Sequence, residues 1–364
     1  MAERLFIIGN EAVGWGALMA DCDAFFGYPI TPQNETTEWF AREYPKRGKV
    51  FFQTTSETSS INMVYGAAAC GVRAMTSTSG PGWGLMQETM SHLVNAQLPA
   101  VIVLVQRGGP GQGTTRQAQT DYFSATRGGG QGGYKTIVLC PASVQETHDL
   151  VQLAFLLADK YRNPVIVLTD AVIGLTTEAI EVKKINFGPL PPKDWAVRGL
   201  ENQPDGRARF ITSSHGLDPR IYPNYLALLT HLKEKYHRIE EAEVRYETHQ
   251  TEDAELILVA YGYPAGVCRQ ALEMARDEGL RVGLARLITA WPFPYQVIRE
   301  KAQKGVQFLV VEDSLGQMVE DVKLAAEGRG KVHFLGVFAR HSPAEMGLIF
   351  PERVVEEIGR ILYE

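Results

Sequence analysis

Three residues stand in contexts that chemistry can use: Thr31, Glu57 and Arg107. Thr31 belongs to residues 25–34, FFGYPITPQN, where Pro29 and Pro32 bracket Ile30 and Thr31. A proline fixes its own φ and pushes the residue before it toward extended backbone, so Tyr28 and Thr31 are expected to be held stiffly. Thr31 followed by Pro32 reads as a helix N-cap and first helical residue, with PQNETTEWFAREY continuing as the helix. A capped helix start also exposes backbone N–H groups and a positive dipole end, which suit a carboxylate or phosphate.

Glu57 follows the strand-like run VFFQTT and opens the helical run SSINMVYGAAACG. Its carboxyl suits proton transfer, yet Thr54-Thr55-Ser56-Glu57 also spells a capping box with Glu57 at the third helical position. Arg107 closes the strand-like run AVIVLVQ just before Gly108 and Gly109. It reads either as a surface arginine or as a fixed fork for a carboxylate. His92 and His148 lie inside helical patterns without a nucleophile or ligand partner, and read as packing or surface residues.

Three glycine clusters invite a phosphate-loop reading and resist it. SGPGWG (79–84) sits between strand and helix but matches neither GxGxxG nor a Walker loop. RGGPGQGTT (107–115) lacks the lysine, and GRGK (328–331) leads into a strand; each is expected to be a loop. Two of them nonetheless follow parallel-type strands, where open α/β sheets bind ligands. Cys22, Cys70, Cys140 and Cys268 have no metal-ligand spacing and read as buried thiols of a reducing compartment. No metal site is expected on this chain.

The elements that must position these residues follow from the patterning. KVFFQTT, RAMTSTS, AVIVLVQ, TIVLC and PVIVLTD read as strands, the last three buried on both faces as in a parallel sheet. Helical runs alternate with them. SVQETHDLVQLAFLLADKYRN opens on Ser143 and Glu146, matching a capping box, and stops before Pro164. From about residue 185 the text turns Pro-, Gly- and charge-rich, and LALLTHLKEKYHRIEEAEVRYETHQ (226–250) reads as one amphipathic helix of a connector. A second alternation follows: ELILVAYG, PAGVCRQALEMARDEG, RVGLARL, GVQFLVVED, GQMVEDVKLAAEG and KVHFLGV. The expected fold is α/β with a mostly parallel sheet, divided into residues 1–245 (connector included) and 251–364.

The bulk numbers bound the function. The chain of 364 residues is 45% hydrophobic and 21% charged, an ordinary globular composition long enough for two domains. A formal net charge of −6 with no basic cluster argues against nucleic acid as the main partner. No apolar run approaches the roughly 18 residues of a membrane span, and the start is too short in apolar residues for a signal peptide. A cytoplasmic protein is expected.

Taken together and in order, GNEAVGWGAL, GYPITPQNE, SETSSINMVYGAAACGVRAMTSTSGPG, QRGGPGQGT, YRNPVIVLTDAVIG, LITAWPFP and GQMVEDV resemble one family over nearly the whole chain. It is the α-type subunit of the thiamine-diphosphate-dependent 2-oxoacid:ferredoxin oxidoreductases, nearest the 2-oxoisovalerate (3-methyl-2-oxobutanoate) branch. The resemblance implies a pyrimidine-binding thiamine-diphosphate domain followed by a domain like the C-terminal domain of transketolase. It implies a split site, with diphosphate and Mg²⁺ on a β-type partner subunit and iron–sulfur clusters on partners too, a γ-type and an iron–sulfur subunit completing the complex. The absence of a GDG motif and of clustered cysteines agrees with that.

The resemblance also assigns roles. Thr31 would reach the 2-oxoacid beside the thiazolium ring, and Arg107 would hold its carboxylate. Glu57 would contact N1′ of the aminopyrimidine, with Tyr28 and Ile30 helping to bind the cofactor. A carboxyl sharing a proton with N1′ favours the imine that deprotonates thiazolium C2; the 2-oxoacid then adds, CO₂ leaves, coenzyme A takes the acyl group and ferredoxin the electrons. The 2-oxoglutarate, pyruvate and arylglyoxylate branches share the same core elements. A silent scaffold that kept the fold is the reading from another class; retention of Thr31, Glu57 and Arg107 together weighs against it. A transketolase or 2-oxoacid dehydrogenase is disfavoured by GYPITP.

Overall fold

The chain begins with strand β1 (Glu3–Ile8) and helix α1 (Gly9–Met19), then alternates: β2 (Ala24–Gly27), α2 (Asn34–Glu43), β3 (Val50–Gln53), α3 (Glu57–Ala69), β4 (Ala74–Thr78), α4 (Gly80–Asn95) and β5 (Ala100–Gln106). A short helix α5 (Tyr122–Arg127) leads to β6 (Ile137–Leu139), α6 (Val144–Tyr161), β7 (Pro164–Asp170), α7 (Ala171–Leu175) and β8 (Thr177–Val182). After the connector come α8 (Tyr225–Ala242), β9 (Tyr246–His249), β10 (Leu256–Ala260), α9 (Tyr263–Asp277), β11 (Val282–Leu287) and β12 (Thr289–Trp291). The chain closes with α10 (Tyr295–Ala302), β13 (Gln307–Val311), α11 (Met318–Ala326), β14 (Val332–Leu335) and α12 (Pro351–Tyr363). The structure, a computed structural model, describes residues 3–203, 205–213, 222–339 and 347–363.

Two main sheets result, and the expected α/β class holds. The larger has the order β12-β6-β7-β5-β4-β2-β3, parallel from β6 to β3 with β12 antiparallel at its edge. Every residue of β4, β5, β6 and β7 is buried, as a sheet covered by helices on both faces requires. The smaller sheet, β14-β13-β10-β11-β9, is parallel except for β9 at its edge. β1 and β8 form a separate antiparallel pair. β12 lies in the second half of the sequence but completes the first sheet, where the cap of α6 also reaches across: Arg286 of β11 is ion-paired to Glu146.

Expectations about the connector helix, the cap of α6 and the thiols need correction. The helix expected over residues 226–250 stops at Ala242. There the buried Glu243 carboxylate receives Lys160 Nζ, Tyr161 Oη and Arg245 Nη1, anchoring the chain, and Tyr246–His249 pairs with β11 instead. Ser143 does cap α6, its Oγ accepting from the Glu146 N–H, but Glu146 turns to the Ala142 N–H rather than closing the box on Ser143. Cys22, Cys140 and Cys268 are buried, whereas Cys70 at the end of α3 is exposed. Among the described residues, no helix is long and apolar enough to cross a membrane.

Candidate active site

β5, β4, β2 and β3 are parallel neighbours, so the loops that leave their C-terminal ends gather along one edge of the sheet. Thr31, Glu57 and Arg107 follow β2, β3 and β5, and the SGPGWG cluster follows β4.

The loop after β2 is held as a rigid turn. Gln33 N–H donates to the Ile30 carbonyl at 3.0 Å, and the Gln33 side-chain amide donates to the Tyr28 carbonyl at 3.1 Å. Ser77 of β4 donates to the same Gln33 side chain, and Asn10 at the start of α1 donates to the Pro32 carbonyl at 2.7 Å and to Glu35 at 2.8 Å. Because residues 30–33 are spent in this turn, α2 starts at Asn34, with Gln33 in the cap position. Thr31 is therefore not the N-cap that the sequence suggested. Its side chain is exposed, with Oγ1 accepting from Asn34 Nδ2 at 3.2 Å, while Tyr28 and Ile30 are half-buried beside it.

The loop after β3 also differs from the expected capping box. The cap of α3 is Ser56, whose Oγ accepts from the Ser59 N–H at 3.2 Å, so Glu57 is the first helical residue and not the third. Thr54, the expected cap, turns its hydroxyl to the Gly27 and Ser56 carbonyls and to Ser60. Glu57 is thereby released from capping. It is only 6% exposed, and its carboxylate makes no hydrogen bond or ion pair with any described residue. Buried polar groups are nearly always paired, and one left without a partner calls for an explanation.

That carboxylate lies against the first turn of α4. A Cβ placed on Gly82 would come within 2.5 Å of Glu57 Oε1 and 2.3 Å of Thr78 Oγ1, so only glycine fits there. SGPGWG is thus not a loop but the start of α4, with Gly82 allowing Glu57 close approach.

After β5, Arg107 is buried and ties two loops together. Its Nη1 donates to the Thr31 carbonyl at 2.8 Å and its Nη2 to the Gln112 carbonyl at 3.0 Å, leaving Nε without a partner. Asp121, farther along the loop, also keeps one carboxyl oxygen buried and unpaired. Burial pushes the Asp121 carboxyl up to about 7, against the pull of Arg107. Both line a cavity of about 530 Å³ with Gly80, Pro81 and, from the second unit, Ser314 and Leu315.

The two units are locked at this cavity. Gln119 N–H donates to the Asp313 carbonyl at 2.7 Å while the Gln119 side chain accepts from Asp313 N–H at 2.9 Å, and Gln317 donates to the Thr120 carbonyl at 2.8 Å. Gln33, Gln119 and Gln317 carry no sequence signal, since their importance lies in contacts far along the chain.

Thr31 and Arg107 are thus in direct contact, and Glu57 meets the same first turn of α4 whose Gly80 and Pro81 face Arg107 across the cavity. Glu57, packed against Gly82 and Thr78, is a carboxylate left without a partner among the described residues. Among the described residues no group of His, Cys, Asp and Glu is arranged to hold a metal ion.

Known proteins resemble this chain over most of its length. The sequence model of the family described as pyruvate flavodoxin/ferredoxin oxidoreductase, thiamine diphosphate-binding, matches residues 15–250, and that of pyruvate:ferredoxin oxidoreductase core domain II matches residues 254–346. The chain is 49% identical over 318 residues to the ketoisovalerate oxidoreductase subunit VorB of Methanothermobacter thermautotrophicus, covering 87% of this chain and 88% of that one. It is 38% identical over 354 residues to the 2-oxoglutarate synthase subunit KorA of Methanothermobacter marburgensis, covering 92% and 94%. A solved 2-oxoglutarate:ferredoxin oxidoreductase from Magnetococcus marinus, with 2-oxoglutarate, coenzyme A and succinyl-CoA bound, superposes with a TM-score of 0.84 at 25% identity. That match covers 98% of this chain and 65% of the longer one. The chain belongs to the thiamine-diphosphate-binding pyruvate flavodoxin/ferredoxin oxidoreductase family.

Proposed function

We propose, with membership of this family as the premise, that the chain supplies the aminopyrimidine side of a 2-oxoacid:ferredoxin oxidoreductase whose substrate is a branched-chain 2-oxoacid. The reaction is oxidative decarboxylation to an acyl-CoA and CO₂, with ferredoxin as electron acceptor. Relatives named as subunits support a heteromeric complex. In this reading a β-type partner subunit holds the diphosphate and Mg²⁺, and γ-type and iron–sulfur subunits complete the cytoplasmic assembly. Residues 1–245 form the pyrimidine-binding domain and residues 251–364 the transketolase C-terminal-like domain.

The observation that carries the reading is the buried, unpaired Glu57 carboxylate. Bound thiamine diphosphate supplies the carbon nucleophile and the electron sink that decarboxylation needs. Glu57 holds a proton at the ring nitrogen of the aminopyrimidine, and the half-buried Tyr28 and Ile30 flank the ring. Thr31, exposed on its pinned turn, donates its hydroxyl to the 2-oxoacid. Arg107 fixes the Thr31 turn through the Thr31 carbonyl and offers its charge to the substrate carboxylate.

The cavity favours an apolar 2-oxoacid over a dicarboxylic one. Arg107 is the one cation among its described lining residues; Asp121 and Asp313 face it too, and Pro81, Pro110, Leu315 and Val337 make up apolar wall. Within the Arg107 cavity a second substrate carboxylate would find no second cation and two acids nearby, the next cation being Arg116 in the adjoining hollow lined by Thr31. The test is to assemble the complex with its partner subunits and compare kcat/KM for 3-methyl-2-oxobutanoate, 2-oxoglutarate, pyruvate and phenylglyoxylate. The branched-chain acid is expected to lead. A lead for 2-oxoglutarate overturns the substrate assignment, and no turnover with any of the four overturns the enzymatic reading in favour of a scaffold.

A further inference from the structure

At the other end of the large sheet lies a second hollow, of about 620 Å³, bounded by the C-terminus of α6, the turn after α4 and one face of α8. Gln97 precedes β5 and Arg162 precedes β7, so the hollow sits at the N-terminal ends of the strands whose C-terminal ends carry the site above. Seven residues of β5 separate the two edges, roughly 20 Å at the rise of a strand.

Arg162, Lys235 and Arg238 converge on it, and Glu241 is the one acid among its described lining residues. His231, Lys235 and Arg238 follow one another at spacings of four and three, and so share a face of α8. Lys235 is 1% exposed, and its ammonium donates to a single partner, the Arg162 carbonyl at 3.3 Å. Arg162 donates through Nε to the Gln97 carbonyl and stacks its guanidinium 4.3 Å from the centre of the Trp195 ring. Neither residue, nor Arg238, forms an ion pair with any described residue.

Asp194 acts on Arg162, whereas the acids at the end of α8 are committed elsewhere. Glu243 is shared by Lys160, Tyr161 and Arg245, and Glu241 pairs with His237. Burial above all, with Arg162 and Arg238 adding to it, pushes the Lys235 ammonium down to about 7. Burying a cation among other cations is costly unless something anionic is delivered.

We infer that this hollow binds a phosphate group of a small molecule, with Arg162, Lys235 and Arg238 as its ligands. A phosphate monoester carries close to two negative charges and three acceptor oxygens, which match two guanidinium forks and an ammonium with two free N–H groups. The free volume is larger than a phosphate ion needs and leaves room for an organic remainder beside Tyr161 and Tyr222.

The experiment titrates the full-length chain with sodium phosphate and, separately, with adenosine monophosphate, at constant ionic strength held by chloride, reading thermal shift and calorimetric heat. Saturable stabilisation by phosphate that chloride does not reproduce is expected, together with at least a tenfold weaker Kd in Arg238→Ala. Arg238 is exposed, so that variant keeps its fold; Lys235→Met is the second variant and should abolish binding. Tighter binding of the nucleotide than of phosphate identifies an organic phosphate as the occupant, and equal binding identifies the free ion. Phosphate that stabilises no more than chloride, or binds Arg238→Ala as well as the parent, overturns the inference. Repeating the titration on Glu57→Gln separates this site from the proposed chemistry, because binding here is expected to survive loss of turnover there.

Discussion

Two buried glutamates follow parallel strands of this chain and are used in opposite ways. Glu312, just after β13, is fully buried, and its two carboxylate oxygens accept the backbone N–H groups of Gln317, Met318 and Val319 at 2.9–3.0 Å. Those bonds hold the start of α11, where orphan N–H groups need acceptors. Burial raises the Glu312 carboxyl, and the three N–H donors oppose that rise without cancelling it. Glu57, just after β3, is 6% exposed and accepts from no described residue, because Ser56 has taken over the cap of α3. Burial alone thus says little about function. The account of partners separates the structural carboxylate from the one left free for a ligand.

The largest expected effect tests the free carboxylate. Glutamine keeps the shape of Glu57 but cannot share a proton with a ring nitrogen, so Glu57→Gln should lower kcat of the assembled complex by about 10²–10⁴-fold, the usual span of general acid–base contributions. Exchange of the cofactor's C2 proton, followed by NMR after acid quench, should slow in parallel while urea unfolding of the chain stays unchanged. Normal exchange in a well-folded variant would return Glu57 to a structural role.

The mirror experiment falls on the other glutamate. Glu312→Ala strands three backbone N–H groups in the interior, at about 1–3 kcal/mol for each buried group left unsatisfied. Its urea midpoint should fall steeply. Loss of stability without special loss of turnover per folded molecule is the expected signature. A Glu312→Ala variant as stable as the parent would erase the contrast between the two residues.

A subtler perturbation acts on Glu57 through its neighbour. Gly82→Ala drives a methyl group into Glu57 Oε1 and Thr78 Oγ1, whereas a Cβ on Gly84, two residues along the same helix, meets nothing within 4 Å. Overpacking of this kind costs about 1–3 kcal/mol, and displacing the carboxylate should reduce turnover by about tenfold or more. Gly84→Ala should instead leave turnover alone and raise stability by about 0.5–1 kcal/mol, the ordinary gain of alanine over glycine inside a helix. Equal behaviour of the two variants would show that the close approach at Gly82 has no bearing on the chemistry.

These contrasts also show what was legible in the sequence. The strands buried on both faces, β5 and β7 above all, announced themselves as unbroken apolar runs, and the resemblance carried by GYPITP and its companions led to the family. Local grammar misled where long-range contacts decide. Thr31-Pro32 reads as a helix start, but the adjacent Gln33, with Asn10 and Ser77 from two other places in the chain, holds it as a turn. β9 hid at the end of an amphipathic run because a buried Glu243, paired across the fold with Lys160, ends the helix there. The locking residues Gln119 and Gln317 were invisible for the same reason: a glutamine's meaning depends on which backbone it meets.

The smallest expected effect checks the division of labour within α3 itself. If Thr54 and Glu57 formed a capping box, Ser56 would be an ordinary linker residue, and Ser56→Ala would cost almost nothing. The structure makes Ser56 the cap, its hydroxyl accepting from the Ser59 N–H, so its removal should destabilise the chain by about 1 kcal/mol, the typical loss for a serine N-cap. Because Glu57 takes no part in that cap, the assembled complex should keep its kcat with Ser56→Ala, while Glu57→Gln keeps its stability. Equilibrium unfolding in urea and steady-state turnover on the same two preparations settle it. A neutral Ser56→Ala paired with a destabilised Glu57→Gln would mean that the glutamate caps the helix after all, and the contrast with Glu312 would collapse into two structural carboxylates.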